Sequence, residues 1–243
     1  MIKKIQNIDI AIPLYNEENS ISNLKEHLID LEIKLSKLNI QYNIFFVDDG
    51  SSDKTYKKLV ENFDLNKTHK IIRHEDNLNL NGFLKTMQKE VKSDYVVFLD
   101  CDCTFSPVLI VDMLNNIKEE TDIMNGSPYH PEGNIMGVNP IRLVISKIAN
   151  TVYKYLVDEN IYTYTSIFKM YKSTVFKNIK INGIGFVSVA ELFIKAILKG
   201  AIVQEFPCTL TIRTTGDSKI KIMNSIRSHI KLMGSIIVKK INQ

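Results

Sequence analysis

The stretch Tyr95-Val96-Val97-Phe98-Leu99-Asp100-Cys101-Asp102 decides the fold class of this chain of 243 residues. Its first five side chains are apolar, which is typical of a short strand buried on both faces of a parallel sheet. Asp100 and Asp102 follow directly, so they lie at the carboxyl end of that strand, where open α/β sheets bind ligands. Their oxygens suit Mg²⁺ or Mn²⁺. Taken alone, the pair is equally compatible with a solvated turn.

Two upstream segments repeat this order of apolar strand, polar loop and helix-like stretch. Residues 8–12 read IDIAI and continue into PLYNEE, and residues 44–47 read IFFV and continue into DDGSSDKT. Because parallel strands end at the same edge of a sheet, we expect the three loops to converge on one crevice. The second loop, taken alone, is also compatible with a turn followed by a helix cap.

The hydrophobic periodicity predicts one α/β domain, residues 1–218, and a C-terminal helix within residues 219–243. Further strands are expected at 70–73 and 121–125, and helices at 20–38, 54–63, 82–91, 107–117, 142–155 and 187–198. Residues 128–140 contain proline and glycine and are predicted to form a mobile loop. From Ser218 onwards the chain carries six basic residues and no acidic one. This amphipathic segment either packs on its own domain or lies on an anionic membrane surface.

The composition of the chain argues against several classes of protein. The net charge of +4 is too small to indicate a nucleic-acid partner. No apolar run approaches the roughly 20 residues of a membrane span, and no secretory signal is recognisable. Three cysteines do not suggest a disulfide scaffold, and Cys101 and Cys103 lack the neighbours of a zinc site. We therefore expect a cytoplasmic protein, either free or peripheral on the cytoplasmic face of a membrane.

An ordered set of motifs resembles the family 2 glycosyltransferases of the GT-A fold. The first three motifs are PLYNE at 13–17, DDGS at 48–51 and DCD at 100–102. The later ones are similar to the dolichol-phosphate mannosyltransferases and related polyprenyl-phosphate glycosyltransferases: GSPY at 126–129, Arg142 with Ser146, TSIFKMY at 165–171, EFP at 205–207, Arg213, and GDSK at 216–219. The resemblance spans roughly residues 7–222 and implies a mostly parallel sheet flanked by helices.

The resemblance implies a metal-dependent, inverting enzyme that moves a sugar from a UDP- or GDP-linked donor to a polyprenyl phosphate. Six residues would bind the nucleotide sugar: Pro13, Tyr15, Glu17, Asp49, Asp100 and Asp102. The last two would also hold Mg²⁺ or Mn²⁺. Five residues would bind the acceptor and its phosphate: Arg142, Ser146, Arg213, Ser218 and Lys219. The catalytic set would comprise Asp100, Asp102, Arg142 and Arg213.

Two alternatives remain open from the sequence. A family 2 enzyme acting on a sugar hydroxyl needs a general base, for which Glu191 and Asp122 are candidates. A catalytically impaired homologue would only bind the nucleotide sugar. The chain departs from the lipid-phosphate subfamily at Thr104, Pro128 and Ile167, which stand where glutamine, arginine and glycine are usual. Asn79-Leu80-Asn81 replaces a Gly-x-Gly, a milder change because asparagine tolerates left-handed backbone.

Overall fold

The structure, a computed structural model, describes residues 5–63, 68–183, 185–212 and 222–241. Its strands are β1 (Asn7–Leu14), β2 (Gln41–Asp48), β3 (His69–Arg73), β4 (Tyr95–Phe98), β5 (Ile123–Ser127), β6 (Asn134–Met136), β7 (Lys169–Lys172), β8 (Val203–Pro207) and β9 (Thr209–Thr211). Its helices are α1 (Ile21–Lys37), α2 (Thr55–Asn62), α3 (Asn79–Glu90), α4 (Leu109–Asn116), α5 (Pro140–Leu156), α6 (Ser173–Lys177), α7 (Val187–Leu198) and α8 (Ile222–Ile241).

A seven-stranded sheet in the order β3-β2-β1-β4-β7-β5-β8 forms the centre of the molecule. Every pair in it is parallel except those made by β7, which runs antiparallel to both β4 and β5. The predicted α/β class and mostly parallel sheet are confirmed. Strand β7 itself was not predicted, because its sequence, KMYK, has a lysine at each end and shows no apolar run.

The sheet is covered on both faces, as the unbroken apolar strands require. Alternate side chains of β1 point to opposite faces of the sheet and pack in different core clusters. Ile10 and Ile12 join a core cluster with α1, α2 and α4, and Ala11 joins a second cluster with α3, α6 and α7. Helices therefore flank the sheet on both sides and leave its two strand-end edges open, which is where loops can build a site.

Strands β8 and β9 and helix α6 also lie where no element was predicted, and two predicted segments differ in the structure. Helix α3 begins at Asn79 rather than at Gly82. Residues 134–136 within the loop predicted at 128–140 form β6, which pairs in parallel with β9. That pairing anchors the middle of the loop to the chain that follows β8. It could not be predicted, since neither three-residue strand has an apolar pattern of its own.

The C-terminal helix α8 packs against α5 and α7, as one of the two alternatives predicted. Ile236 is buried in the second core cluster, and Nδ1 of His229 lies 2.8 Å from the hydroxyl of Tyr153 on α5. Burial lowers the pKa of His229. The described part of α8 is thus integrated with the α/β core.

The carboxylate of Asp9 joins the three neighbouring strands at their amino ends. It is fully buried and accepts hydrogen bonds from Nδ2 of Asn43 on β2 at 2.7 Å, from Oγ of Ser93 at 2.7 Å, and from the amides of Lys92 and Ser93 at 2.8 and 3.1 Å. Lys92 and Ser93 lead directly into β4. One side chain therefore fixes how β2 and β4 begin on either side of β1.

A row of three polar side chains crosses the sheet at β7, β5 and β8. Asn125 is paired with Lys169 on one side and with Glu205 on the other. Nδ2 of Asn125 lies 2.5 Å from Oε1 of Glu205, and Nζ of Lys169 lies 4.7 Å from the centre of the Phe193 ring and donates to the carbonyl of Ser166. Burial lowers the pKa of Lys169 to about 7, although the charge of Glu205 acts in the opposite direction.

We expect Asp9→Ala to lower the free energy of unfolding by about 3 kcal/mol, because it leaves several buried hydrogen-bond donors without an acceptor. For a domain of this size the melting temperature should fall by roughly 6–12 °C. Asp30→Ala is the matched control, since Asp30 is an exposed carboxylate paired with Lys34 on α1. Differential scanning calorimetry of both variants checks the prediction, and equal melting temperatures would contradict it.

We expect the stability of the wild type to rise between pH 7 and pH 9 partly through Lys169. The unfolded chain binds this proton up to a pKa near 10.5, whereas the folded chain releases it at about 7, so raising the pH favours folding. Lys169→Met should therefore gain less stability over that interval, as measured by urea midpoints. Lys172→Met, at a partly exposed lysine, should keep the wild-type rise. An identical rise in Lys169→Met would show that the ammonium does not titrate in this way.

Candidate active site

The loops after β1, β2 and β4 meet at one edge of the sheet, as predicted. Leu14 pairs with Asp48, and Ala11 pairs with Phe98, so the three strands end close together. The first two loops are then bonded to each other. The amide of Asn16 donates to Oγ of Ser51 at 2.9 Å, and the amide of Glu17 donates to Oγ1 of Thr55 at 2.7 Å.

Asn16 shapes this junction, and sequence reasoning did not single it out. Its backbone has φ +54°, a left-handed conformation that asparagine tolerates better than most residues. Its Oδ1 accepts from the amides of Ser52 at 2.8 Å and Asp53 at 3.4 Å. An asparagine two residues after the end of a strand is a recognisable turn signal, and it could have drawn attention to this position.

Three carboxylates from the loops after β1 and β4 interact at this edge. Burial, together with the negative charges of Asp102 and Glu17, raises the pKa of the partly buried Asp100 to about 8. Asp102 is exposed, and its Oδ1 accepts from the amide of Thr104 at 2.9 Å and from its hydroxyl at 2.7 Å. Thr104, a departure from the subfamily pattern, thus orients the acid of the predicted metal pair.

The donor set fits a hard divalent cation that completes its coordination with ligand phosphates. Mg²⁺ and Mn²⁺ are commonly held by one or two carboxylates in such sites. Among the described residues, no group of three His, Cys, Asp or Glu side chains is already arranged around one metal position. The raised pKa of Asp100 reflects burial first and then the nearby negative charges, and a divalent cation would offset both effects.

Asp49 follows β2 directly and is buried beside the end of β1. Its amide donates to the carbonyl of Leu14 at 2.8 Å. Its Oδ1 accepts from the amide of Leu78 at 2.9 Å and lies 2.7 Å from Nδ1 of His74. Nε2 of His74 lies 2.8 Å from the hydroxyl of Thr86 on α3. Sequence reasoning missed His74 and Thr86, because only the way α3 lies against the loop brings them together.

The remaining residues predicted to bind the nucleotide lie around these acids. Pro13 is paired with Val47 within β1 and β2, and Tyr15, just past β1, exposes 38% of its surface. Asn79 has φ +60° where the family pattern has glycine, so the expectation for asparagine at that position is confirmed. The structure thus brings Pro13, Tyr15, Glu17, Asp49, Asp100 and Asp102 to one edge.

The predicted acceptor residues are only partly described. Ser146 lies on α5, with its Oγ 3.5 Å from the hydroxyl of Thr165. One turn further along, Oδ1 of Asn150 accepts from the amides of Tyr164 at 2.6 Å and Thr165 at 3.2 Å. Helix α5, which also carries Arg142 in its first turn, is therefore tied to the Thr165 motif. The other three residues lie outside the described part of the chain: Arg213, Ser218 and Lys219.

The GSPY motif ends β5 beside the same segment. Oγ of Ser127 lies 2.8 Å from Oγ1 of Thr163. A side chain on Gly126 would come within 2.4 Å of the Phe168 ring, so this position requires glycine. Pro128, which replaces the usual arginine, is buried, and Ile167 is buried in the second core cluster. Two of the residues that depart from the family pattern, Pro128 and Ile167, are thus buried.

Both residues considered as a general base have partners within the protein. Glu191 on α7 is buried, its Oε1 lies 2.5 Å from Nζ of Lys195, and its Oε2 accepts from the amides of Asn182 and Gly183. Asp122 precedes β5 at the opposite edge of the sheet, where it pairs with Lys172 at 3.2 Å. Each carboxylate thus forms an ion pair with a neighbouring lysine.

Comparison with known proteins agrees with this geometry. Residues 9–180 match the family model described as "Glycosyl transferase family 2". A dolichol-phosphate mannosyltransferase from Pyrococcus furiosus is 32% identical over 88% of this chain and 59% of its own length. A polyprenol monophosphomannose synthase from Mycolicibacterium smegmatis is 27% identical over 90% of this chain and 83% of its own. The chain thus matches little more than half the length of the Pyrococcus relative.

Solved structures share the fold. Glucosyl-3-phosphoglycerate synthase from Mycobacterium tuberculosis in complex with UDP superposes with a TM-score of 0.68 at 14% identity, over 95% of this chain and 80% of that one. The same enzyme with Mn²⁺ and UDP-glucose superposes with a TM-score of 0.67 at 16% identity, over 95% and 79%. Together with the match over residues 9–180, these findings identify the chain as a glycosyltransferase of family 2 with the GT-A fold.

Proposed function

We propose that this protein transfers a sugar from a nucleotide-sugar donor to a polyprenyl phosphate, with inversion at the anomeric carbon. The observation that carries the proposal is the cluster of Asp100, Asp102 and Glu17 at the carboxyl ends of β1 and β4, beside the buried Asp49. Acids at this edge suit the ribose, the base and a metal-bound diphosphate of one ligand.

In the proposed donor site, Tyr15 stacks on the base and Pro13 lines the pocket with it. Asp49 and Glu17 accept hydrogen bonds from the base and ribose, and Asp100 accepts from the ribose or contributes to the metal. Asp102 is the principal ligand of Mg²⁺ or Mn²⁺, and Thr104 holds it in position. When bound, the ion stabilises the negative charge that develops on the departing diphosphate.

A phosphate acceptor suits the described part of the site better than a sugar hydroxyl does. A phosphate oxygen is already anionic and needs no strong base, and the two candidate bases, Glu191 and Asp122, are engaged elsewhere. Arg142 and Ser146, with Arg213, Ser218 and Lys219, are proposed to hold the acceptor phosphate. Arginine is suited to this because its planar fork binds phosphate through two hydrogen bonds. Two relatives named for polyprenol or dolichol phosphate support the assignment.

We also propose that helices α5 and α8 rest on the cytoplasmic face of an anionic membrane, where such an acceptor resides. Neither helix contains an acidic residue, and together they carry seven basic ones. Both keep large apolar side chains exposed: Ile141, Val144, Ile148 and Tyr155 on α5, and Ile230, Ile237 and Val238 on α8. In the part of the chain that the structure describes, no helix combines the length and hydrophobicity needed to span a bilayer. A surface of this kind fits the interface of anionic lipids.

The direct test of the acceptor is product formation from UDP- and GDP-sugars with a short polyprenyl phosphate or with a glycan. Transfer to the polyprenyl phosphate supports the proposal, and transfer only to the glycan supports the hydroxyl alternative. Nucleotide binding without any turnover would indicate an impaired homologue.

We expect Asp102→Asn to lower the affinity for UDP or GDP at least tenfold in the presence of Mn²⁺, because a metal ligand is lost. In the wild type, ligand at about 100 times its dissociation constant adds roughly 2.7 kcal/mol, a shift of roughly 5–10 °C. Asp112→Asn, at an exposed position on α4, should keep the full shift. Mn²⁺-dependent shifts of equal size in wild type and Asp102→Asn would contradict the metal assignment.

We expect the double variant Ile148→Ser, Ile230→Ser to bind vesicles containing anionic phosphatidylglycerol at least tenfold more weakly, because each buried isoleucine contributes about 1.5–3 kcal/mol. Sedimentation with vesicles measures this, and neutral phosphatidylcholine should bind less of both proteins. The control is Ile29→Ser, Ile33→Ser on α1, whose side chains are each 49% exposed. Equal losses in both double variants would argue against a surface specific to α5 and α8.

A further inference from the structure

A buried chain of hydrogen bonds runs from α3 through His74 to Asp49. Oδ1 of Asp49 is a carboxylate oxygen and can only accept, so Nδ1 of His74, 2.7 Å away, carries the proton of that bond. In the neutral ring, Nε2 then accepts from the hydroxyl of Thr86 at 2.8 Å. His74 and Asp49 side chains are only 9% and 7% exposed, so water does not compete freely for these bonds. The imidazole is therefore held by both nitrogens.

The loop that carries His74 is pressed against the turn that carries Asp49. The amide of Leu78 donates to the same Oδ1 at 2.9 Å, and the amide of His74 donates to the carbonyl of Asp48 at 2.9 Å. Gly50 has φ +72°, and a side chain there would meet the backbone of Asp76 at 2.7 Å. The orientation of the Asp49 carboxylate is thus fixed by several contacts from one loop.

These contacts use the two carboxylate oxygens unequally. Oδ1 accepts two hydrogen bonds, which occupy both of its lone pairs. Within the ranges that the structure describes, no group donates to Oδ2. Asp49 therefore offers one carboxylate oxygen to a ligand at the carboxyl ends of β1 and β2.

The nucleotide bases differ in what they need from such a carboxylate. Guanine presents two adjacent donors, N1–H and the exocyclic amine, which pair best with both oxygens of one carboxylate. Uracil presents a single donor, N3–H, between two carbonyl oxygens, and one free acceptor satisfies it. A guanine at this site would leave one buried donor without a good partner, which is costly.

We propose that His74 determines nucleotide specificity: by occupying one oxygen of Asp49 it leaves a single acceptor for the base and so selects uracil over guanine. The inference rests on the proposed function, since it assigns the base contact of the donor site to Asp49. His74 acts through Asp49 and is a positioning residue. Both of its ring nitrogens are bonded to protein atoms, so we expect its effect to be confined to the nucleoside half of the donor.

The test is isothermal titration of UDP, GDP and inorganic pyrophosphate, each with saturating Mn²⁺. We expect the wild type to bind UDP about tenfold more tightly than GDP. In His74→Leu, the affinity for UDP should fall and the UDP-to-GDP ratio should approach one. His74→Asn, whose amide nitrogen can replace Nδ1 as the donor to Asp49, should retain most of the ratio. Thr86→Val, which frees Nε2 but keeps the imidazole, should fall between them.

Pyrophosphate separates specificity from general damage to the fold. It should bind all four proteins equally, because it reports the metal and diphosphate half alone. A parallel loss of pyrophosphate and UDP affinity in all three variants would overturn the inference and make His74 a structural residue. Wild-type preference for GDP, or an unchanged ratio in His74→Leu, would overturn it as well. Failure of the wild type to bind either nucleotide would instead refute the proposed function itself.

Discussion

The parallel pairing of β1 with β2 on one side and β4 on the other is the constraint on which the site depends. Its register ends the three strands side by side, and the Asp9 carboxylate fixes their amino ends. Asn16 then joins the first two loops through its amide and its side-chain oxygen. The acids of the site are held close together by backbone geometry. They need no attractive contact among themselves, and none would be expected between like charges.

Clustered charge is the second organising feature of the molecule. Glu17, Asp100 and Asp102 concentrate negative charge at one end of the sheet, whereas α5 and α8 carry only basic and neutral side chains. The acidic cluster and the basic helices therefore lie on different elements of the fold. Two residues that depart from the subfamily pattern have clear partners in the structure. Thr104 donates a hydrogen bond to Asp102, and Ile167 is buried in the second core cluster.

The fold class and the convergence of three loops could be predicted from the sequence. Parallel strands of an α/β sheet end at the same edge, and the acidic residues that follow the apolar segments mark those ends. The direction of β7 and the pairing of β6 with β9 depend on strands that are distant in the sequence. The sequence of a short strand does not identify those partners. For the same reason the roles of Asn16 and His74 were not predicted. The partners of Glu191 and Asp122 were not predicted either, because the sequence does not show which donors will surround a carboxylate.

The antiparallel strand β7 also has a consequence for the order in which the chain assembles. The units from β1 to β4 follow one another along the chain and pair among themselves, so they can form while the rest is still being synthesised. The open side of β4 has no partner until residues 169–172 emerge, and the same residues are the bridge to β5. A nascent chain therefore exposes an apolar strand edge over about 70 residues of synthesis, the interval in which it is most vulnerable to aggregation.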